Sequence, residues 1–317
     1  MRILILGAGG TGGYFGGRLA QAGVDVTFLV RPARAAQLAA AGLVLRSPLG
    51  DATFPVQHVT AEALPALAAE RPFDLVILSC KAYDLDSSID AIAPAMGPRT
   101  SVLPILNGLR HYATLDARFG RDAVLGGLCF ISATKADDGA VVHLAKAARL
   151  TFGERAFGGQ QGDAGSARVI ALAAACVQAG IDHLATDRIG QEQWIKYTFL
   201  TTLAAATCLR RADIGSIVAT EGGEALLRGL YSECLGVALA AGEPVPAEAQ
   251  DTALGALTQP GSALKASMLR DMEAGQRVEA DQIVGDMLAR ACAAGQQVPL
   301  LAQAHESLQA YQAGLAR

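Results

Sequence analysis

In the first 110 residues the hydrophobic positions come in short unbroken runs, each ending at glycine, a charged residue or asparagine. RILILG (2–7), VDVTFLV (24–30), DLVILSCK (74–81) and TSVLPILNG (100–108) are of this kind. Compact apolar runs without polar alternation suit strands buried on both faces, as in a parallel sheet. YFGGRLAQAG, after the first run, and residues 83–96, after the third, read as helices, so strands and helices alternate. Between 123 and 154, AVLGGLCFISAT and VVHLAKAARLTFGE flank a polar ADDG turn and read as strand and hairpin. GERAFGGQQGDAG reads as a loop and 166–179 as a helix. Beyond Arg188 helical periodicity takes over, punctuated by AGEPVPAE, LTQPGSA, MEAGQ and AGQQVP. The expected fold is α/β: a Rossmann-type parallel sheet over 1–187, then an all-helical domain of about six helices over 188–317. A ligand cleft is expected between the two.

The first strand run meets the helix through GAGGTG, with Gly7, Gly9 and Gly12 in GxGxxG spacing. Strand, glycine turn and helix within about 30 residues is the context a dinucleotide-binding turn requires. Gly7 permits the tight turn, Gly9 lets backbone approach a pyrophosphate, and Gly12 allows close helix–strand packing. The helix N-terminus offers unpaired N–H groups to the anion. An acid at the end of the second strand would select NAD, by binding the ribose 2′-OH. The chain has LVRPAR there, with Arg31 and Arg34 in place of the acid, while Asp25 lies at the wrong end of the strand. Guanidinium forks match phosphate geometry, so the expected cofactor is NADP(H). Gly7, Arg31, Lys81 and Asn107 all fall at carboxyl ends of strands, where ligands collect in open α/β sheets. Asn107 also opens an Asn-Gly pair, an ordinary turn signal.

Composition narrows the class further. A net charge of −4 gives nucleic acid or an anionic membrane nothing to bind, so neither is an expected partner. The longest largely apolar stretch, 169–181, has 13 residues, short of the roughly 20 a membrane helix takes. A soluble, cytoplasmic protein is expected. The six cysteines are scattered without a CxxC, which predicts reduced thiols, no disulfide framework and no metal.

Of 26 basic residues only Lys81, Lys135, Lys146, Lys196 and Lys265 are lysines. Lys196 is the one whose helical neighbours, Phe199, Leu200, Leu203 and Ala204, are all apolar. Loss of hydration on such a face disfavours the ammonium and brings a lysine toward proton transfer, which an arginine cannot perform. The alternative is a lysine that snorkels, its head in water. SALKASMLRDMEAGQRVEAD (262–281) reads as a helix, a turn at Gly275 and a second helix start. It could bring Ser267 and Glu279 to one side of a cleft, with Glu279 near a helix N-terminus where negative charge is favourable.

These features together resemble the ketopantoate reductases (2-dehydropantoate 2-reductases), NADPH-dependent enzymes of pantothenate synthesis, over nearly the full length. GAGGTG, Arg31, CKAYD around Lys81, LNG at Asn107, Trp194–Lys196 and SMLRDMEAGQRVEAD carry the resemblance, the last most specifically. It implies that Lys196 is the general acid in hydride transfer to the C2 carbonyl. Glu279 would hold the substrate hydroxyl, and Ser267 its carboxylate. Asn107 and Lys81 would lie at the cofactor–substrate junction, Asn107 touching both, and Arg31 would bind the 2′-phosphate. The substrate implied is a small 2-oxo acid, and a homodimer fits a helical second domain. Leu200 and Ala204 stand where the family pattern has asparagines facing the substrate pocket. That departure raises a paralogue acting on a more apolar 2-oxo acid or carbonyl compound, and, further off, an NADPH sensor without turnover. The Thr201–Thr202 pair could replace the asparagines only if the helix register shifts.

Overall fold

A computed structural model describes residues 1–156 and 162–315. The stretch read as a loop, GERAFGGQQGDAG, lies partly outside the described residues. The chain forms two compact units, Met1–Leu106 with His111–Ile189, and Asn107–Arg110 with Gly190–Arg317. The expected boundary at 187/188 thus falls at 189/190, and four residues from the first half belong to the helical unit.

The first unit contains β1 (Arg2–Leu6), α1 (Gly10–Gln21), β2 (Asp25–Leu29), α2 (Pro32–Ala41), β3 (Leu43–Arg46), β4 (Ala52–Phe54) and β5 (Gln57–Val59). It continues through α3 (Leu64–Glu70), β6 (Leu75–Leu78), α4 (Leu85–Ile92), β7 (Ser101–Pro104), α5 (His111–Phe119), β8 (Gly126–Lys135), β9 (Val141–Gly153), α6 (Ala167–Gln178) and β10 (Asp182–Ala185). Five strands in the order β5–β2–β1–β6–β7 make one sheet, and every pairing in it is parallel. Ile3, Leu4, Ile5, Val76 and Leu78 are at most 1% exposed, as the unalternating apolar runs require. This is the expected Rossmann-type sheet.

A second sheet contains the expected hairpin, β8 antiparallel to β9, and adds β10, β3 and β4, which were absent from the sequence reading, in the order β10–β9–β3–β4. Helix α1 touches strands of both sheets. A Cβ at Gly16 would stand 2.8 Å from the Phe28 ring, and one at Gly17 2.8 Å from Leu43. Glycine on both flanks of one helix thus allows two apolar surfaces to close on it, and one core cluster runs through Ile5, Phe28, Leu43 and Leu150.

The second unit is helical: α7 (Ile189–Arg210, whose first residue belongs to the first unit), α8 (Ile214–Val218), α9 (Gly223–Ala240), α10 (Ala247–Leu257), α11 (Ser267–Glu273), α12 (Ala280–Ala293) and α13 (Pro299–Leu315). Seven helices among the described residues exceed the expected six because α8 is a separate short turn. The Asp213 carboxylate accepts the Ser216 N–H at 2.8 Å and starts it afresh. A core built on Leu227, Leu230, Val284, Met287 and Leu301 holds the unit together. The Trp194 ring lies inside, 5.6 Å from the Tyr197 ring and beneath the Arg290 guanidinium. Among the described residues no helix is long and apolar enough to cross a membrane.

Candidate active site

In the first unit the turn between β1 and α1 opens onto a cleft of about 820 Å³ lined by Gly7, Gly9, Gly12, Arg31 and Lys81, among others. That volume is in the range of small-molecule and cofactor sites. Gly7 has φ +85°, a backbone that L side chains rarely adopt, and its N–H donates to the Leu29 carbonyl at 2.8 Å, tying the turn to β2. A Cβ at Gly12 would collide with Ser79 Oγ and lie 2.9 Å from the Gly7 carbonyl oxygen, so the helix can approach the strand only through glycine. Gly9 is different: a Cβ there would meet nothing within 4 Å. No protein contact demands glycine at that position, which leaves it facing open space. No side chain caps the N-terminus of α1, so its backbone donors are not consumed by a cap. Turn, volume and uncapped helix fit a dinucleotide.

The two arginines after β2 have separate fates. Arg31, the N-cap of α2, extends an 86% exposed side chain, with its nearest carboxylate, Asp84, 4.0 Å away. Arg34 folds back, donating to the Ala8 carbonyl and to Gln37 Oε1, both at 3.1 Å. Burial lowers its pKa from the ordinary arginine value. Both line the cleft, Arg31 extended outward and Arg34 held against its wall. Asp25, excluded by its position on the strand, pairs with Arg71 at 2.9 Å. Ser79, Asp84, Ser87 and Lys135 also line the cleft and escaped the sequence reading. Lys135 ends β8, and its rarity as a lysine was the one available signal.

In the second unit, Lys196 sits in the first half of α7, 9% exposed. Its Nζ donates to Asn107 Oδ1 at 3.0 Å, across 89 residues of sequence. The snorkelling alternative is thereby set aside. Asn107 reaches the lysine because the chain turns at Gly108, with φ +77°, where a Cβ would stand 2.7 Å from the Gln282 carbonyl oxygen. The turn reading and the polar reading of Asn-Gly thus hold together. Tyr197, next to the lysine, places its hydroxyl 2.9 Å from the Ile283 carbonyl and 3.0 Å from Asp286 Oδ2, fastening α7 to α12. Burial and the Asp286 charge raise that phenol well above its ordinary pKa, so it stays protonated.

Glu279 is 5% exposed and is the N-cap of α12, while Ser267, half-buried, is the first residue of α11. Between them Gly275 (φ +65°) makes the expected turn. Leu200 is half-buried against the helical core and Ala204 is 1% exposed. α7 runs without interruption, and the Thr202 hydroxyl donates back to the Thr198 carbonyl at 2.9 Å. The register shift that would bring Thr202 into the asparagines' place is therefore absent. Thr201 Oγ1 is buried with no hydrogen-bond partner. Among the described residues no cluster of histidine, cysteine or acid could hold a metal.

Comparison with known proteins bears on the same two units. The profile described as "Ketopantoate reductase PanE/ApbA" matches residues 3–156, and that described as "Ketopantoate reductase PanE/ApbA C terminal" matches 188–312. The chain belongs to the ketopantoate reductase family. Its relatives include a protein named "Uncharacterized oxidoreductase YkpB" from Bacillus subtilis, 36% identical over 99% of both chains. A 2-dehydropantoate 2-reductase from Halobacterium salinarum is 30% identical over 92% of each. The crystal structure of a 2-dehydropantoate 2-reductase from Geobacter metallireducens superposes with a TM-score of 0.86 at 29% identity, covering 98% of this chain and 99% of that one. As a member of the ketopantoate reductase family the protein is an oxidoreductase of the NAD(P)-dependent kind, acting on a small molecule.

Proposed function

We propose that the protein is an NADPH-dependent reductase of a small 2-oxo acid, with ketopantoate as leading substrate and pantoate as product. The observation that carries this reading is the buried Lys196 whose Nζ is oriented by Asn107. When bound, NADPH supplies the hydride that adds to the C2 carbonyl carbon. Lys196 Nζ then donates a proton to the carbonyl oxygen, so the hydride's two electrons and one hydrogen, with that proton, turn the ketone into a secondary alcohol. Before transfer the ammonium stabilises the charge developing on that oxygen. Asn107 Oδ1 holds an Nζ hydrogen and so fixes the direction of the others. Ser267 and Glu279 bind the substrate carboxylate and hydroxyl, the roles the family resemblance gives them. Gly9 and the α1 N-terminus receive the pyrophosphate, Lys81 the neighbouring part of the cofactor, and Arg31 the 2′-phosphate, which favours NADPH over NADH.

A second reading rests on Leu200 and Ala204. Two apolar side chains in place of amides remove hydrogen bonds to a hydroxylated substrate, and such bonds discriminate strongly. The same machinery would then reduce a more apolar 2-oxo acid. The deciding experiment follows oxidation of NADPH, and separately NADH, with ketopantoate beside unhydroxylated 2-oxo acids. Preference for ketopantoate with NADPH supports the first reading and a role in pantothenate biosynthesis. Faster turnover of an apolar 2-oxo acid, shifted toward ketopantoate by Leu200→Asn with Ala204→Asn, supports the second. Cofactor binding without oxidation across the panel refutes both and leaves a sensor.

A further inference from the structure

The parallel sheet of the first unit has a second concavity, at its opposite end. The dinucleotide cleft gathers residues that follow β1 and β6, at the carboxyl ends of the strands. A pocket of about 760 Å³ opens instead beside Thr100 and Ser101, where β7 begins. The two sets of lining residues have no member in common.

Four arginines from four segments line this pocket: Arg99 before β7, Arg118 in the last turn of α5, Arg121 in the turn after it, and Arg168 in the first turn of α6. Arg168 is neutralised. Its guanidinium grips both Glu154 oxygens and donates to Ser101 Oγ at 3.0 Å and the Asp122 carbonyl at 2.7 Å, so it forms part of the wall. Burial disfavours the Glu154 charge, but hydrogen bonds from Arg168 and Ser166 outweigh that and hold its carboxyl below the ordinary range. Arg121 is tied by one nitrogen to the Ala156 carbonyl at 2.6 Å. Arg99 and Arg118 have no hydrogen bond or counter-ion among the described residues; Arg118 lies only against the Phe119 ring, 5.9 Å from its centroid.

With Arg168 paired and Arg121 engaged, the guanidinium groups of Arg99 and Arg118 line the pocket with one carboxylate, Asp122. That surplus stands on a chain whose net charge is −4. Arg118 can interact favourably with the carbonyl end of α5, but Arg99 lies outside any helix. Convergent, uncompensated guanidinium groups around a concavity of this size form a receptor for oxyanions, which they bind through paired N–H donors.

We propose that this pocket is a second small-molecule site, taking a compound with at least two negative charges on phosphate or carboxylate groups. The inference is independent of the substrate assigned to the protein. Its test is isothermal titration calorimetry of the full chain at low salt with inorganic pyrophosphate and, separately, citrate. Titrations use the wild type, Arg99→Gln with Arg118→Gln, and Arg31→Gln with Lys81→Gln. Arg99 and Arg118 are exposed and lie outside the catalytic machinery, so their substitution leaves circular dichroism and basal reductase activity unchanged.

The expected result is a binding component weakened about tenfold or more in the Arg99/Arg118 variant and retained when Arg31 and Lys81 are replaced. Binding of pyrophosphate alone assigns a phosphate ligand, and of citrate alone a carboxylate one. An isotherm within twofold of wild type in the Arg99/Arg118 variant overturns the proposal, because the anion is then held elsewhere. So does the absence of heat from both probes at about 5 mM.

Discussion

Replacing Lys196 by methionine removes the ammonium while keeping an unbranched side chain of similar length on a helix that accepts either residue equally. Two effects on stability oppose each other. Asn107 loses a donor 3.0 Å away, a cost of about 1 kcal/mol. Against this, a charged group in a side chain 9% exposed no longer has to be desolvated. The net change in folding free energy should stay within about 1 kcal/mol, a melting shift of roughly 2–4 °C.

Turnover behaves differently. A positioned general acid contributes about 10²–10⁴-fold, or roughly 3–5 kcal/mol of barrier. Stopped-flow NADPH oxidation at saturating substrate should fall by that factor, while NADPH affinity, read by fluorescence titration, stays within about threefold, because the proposed cofactor contacts are made by other residues. Lys196→Arg separates charge from proton donation. It keeps a cation near the carbonyl oxygen but cannot release its proton. If the arginine variant recovers most of the turnover, Lys196 acts by charge alone. A methionine variant that folds and turns over within threefold of wild type refutes the assignment of the general acid.

Two further outcomes test the scaffold. Gly12→Ala drives a Cβ into Ser79 Oγ and to 2.9 Å from the Gly7 carbonyl oxygen; it should cost about 1–3 kcal/mol in denaturant unfolding and weaken cofactor binding, since the turn moves with the helix. Unchanged midpoint and affinity would contradict that packing. Glu243→Gln should stabilise the protein at neutral pH, because burial raises the Glu243 pKa above its ordinary 4.5 and so penalises the ionised folded state. The penalty is complete above the folded pKa, shrinks as pH falls through the folded pKa toward 4.5, and vanishes only below 4.5, where the carboxyl becomes protonated folded and unfolded alike. Thermal melts from pH 7 down to about pH 4 should therefore converge for variant and wild type, and a gain that persists at the acid end would rule out this cause.

Much of the first unit was legible because each core strand carries its own evidence. In RILILG or DLVILSCK the burial of both faces is written as an unbroken apolar run, and the glycine or lysine that ends it marks where a ligand can approach. The same holds for Gly7 and Gly12, whose conformational and packing demands arise within a few residues, and for the acid–glycine punctuation around Gly275. β3 and β4 were illegible for the opposite reason. They have four and three residues, are partly exposed, and gain order from pairing with each other and with β9, nearly 100 residues on. Short, half-solvated strands leave no periodicity to read.

The sequence by itself determined the strands β1, β2, β6 and β7, the glycine turn after β1, the helical second half and the short list of residues able to do chemistry. All of these follow from local sterics and hydration, which act over a few positions. Tertiary structure alone decided how the ambiguous groups are used. It separated Arg31 from Arg34, which the sequence left equivalent, by giving the second a carbonyl and an amide to bind. It moved Asn107 and its three successors into the helical unit. And it turned Lys196 from a side chain equally suited to water into a buried ammonium held by Asn107. The environment of that nitrogen is made by residues distant in sequence, and hydrophobic periodicity along one helix cannot specify them.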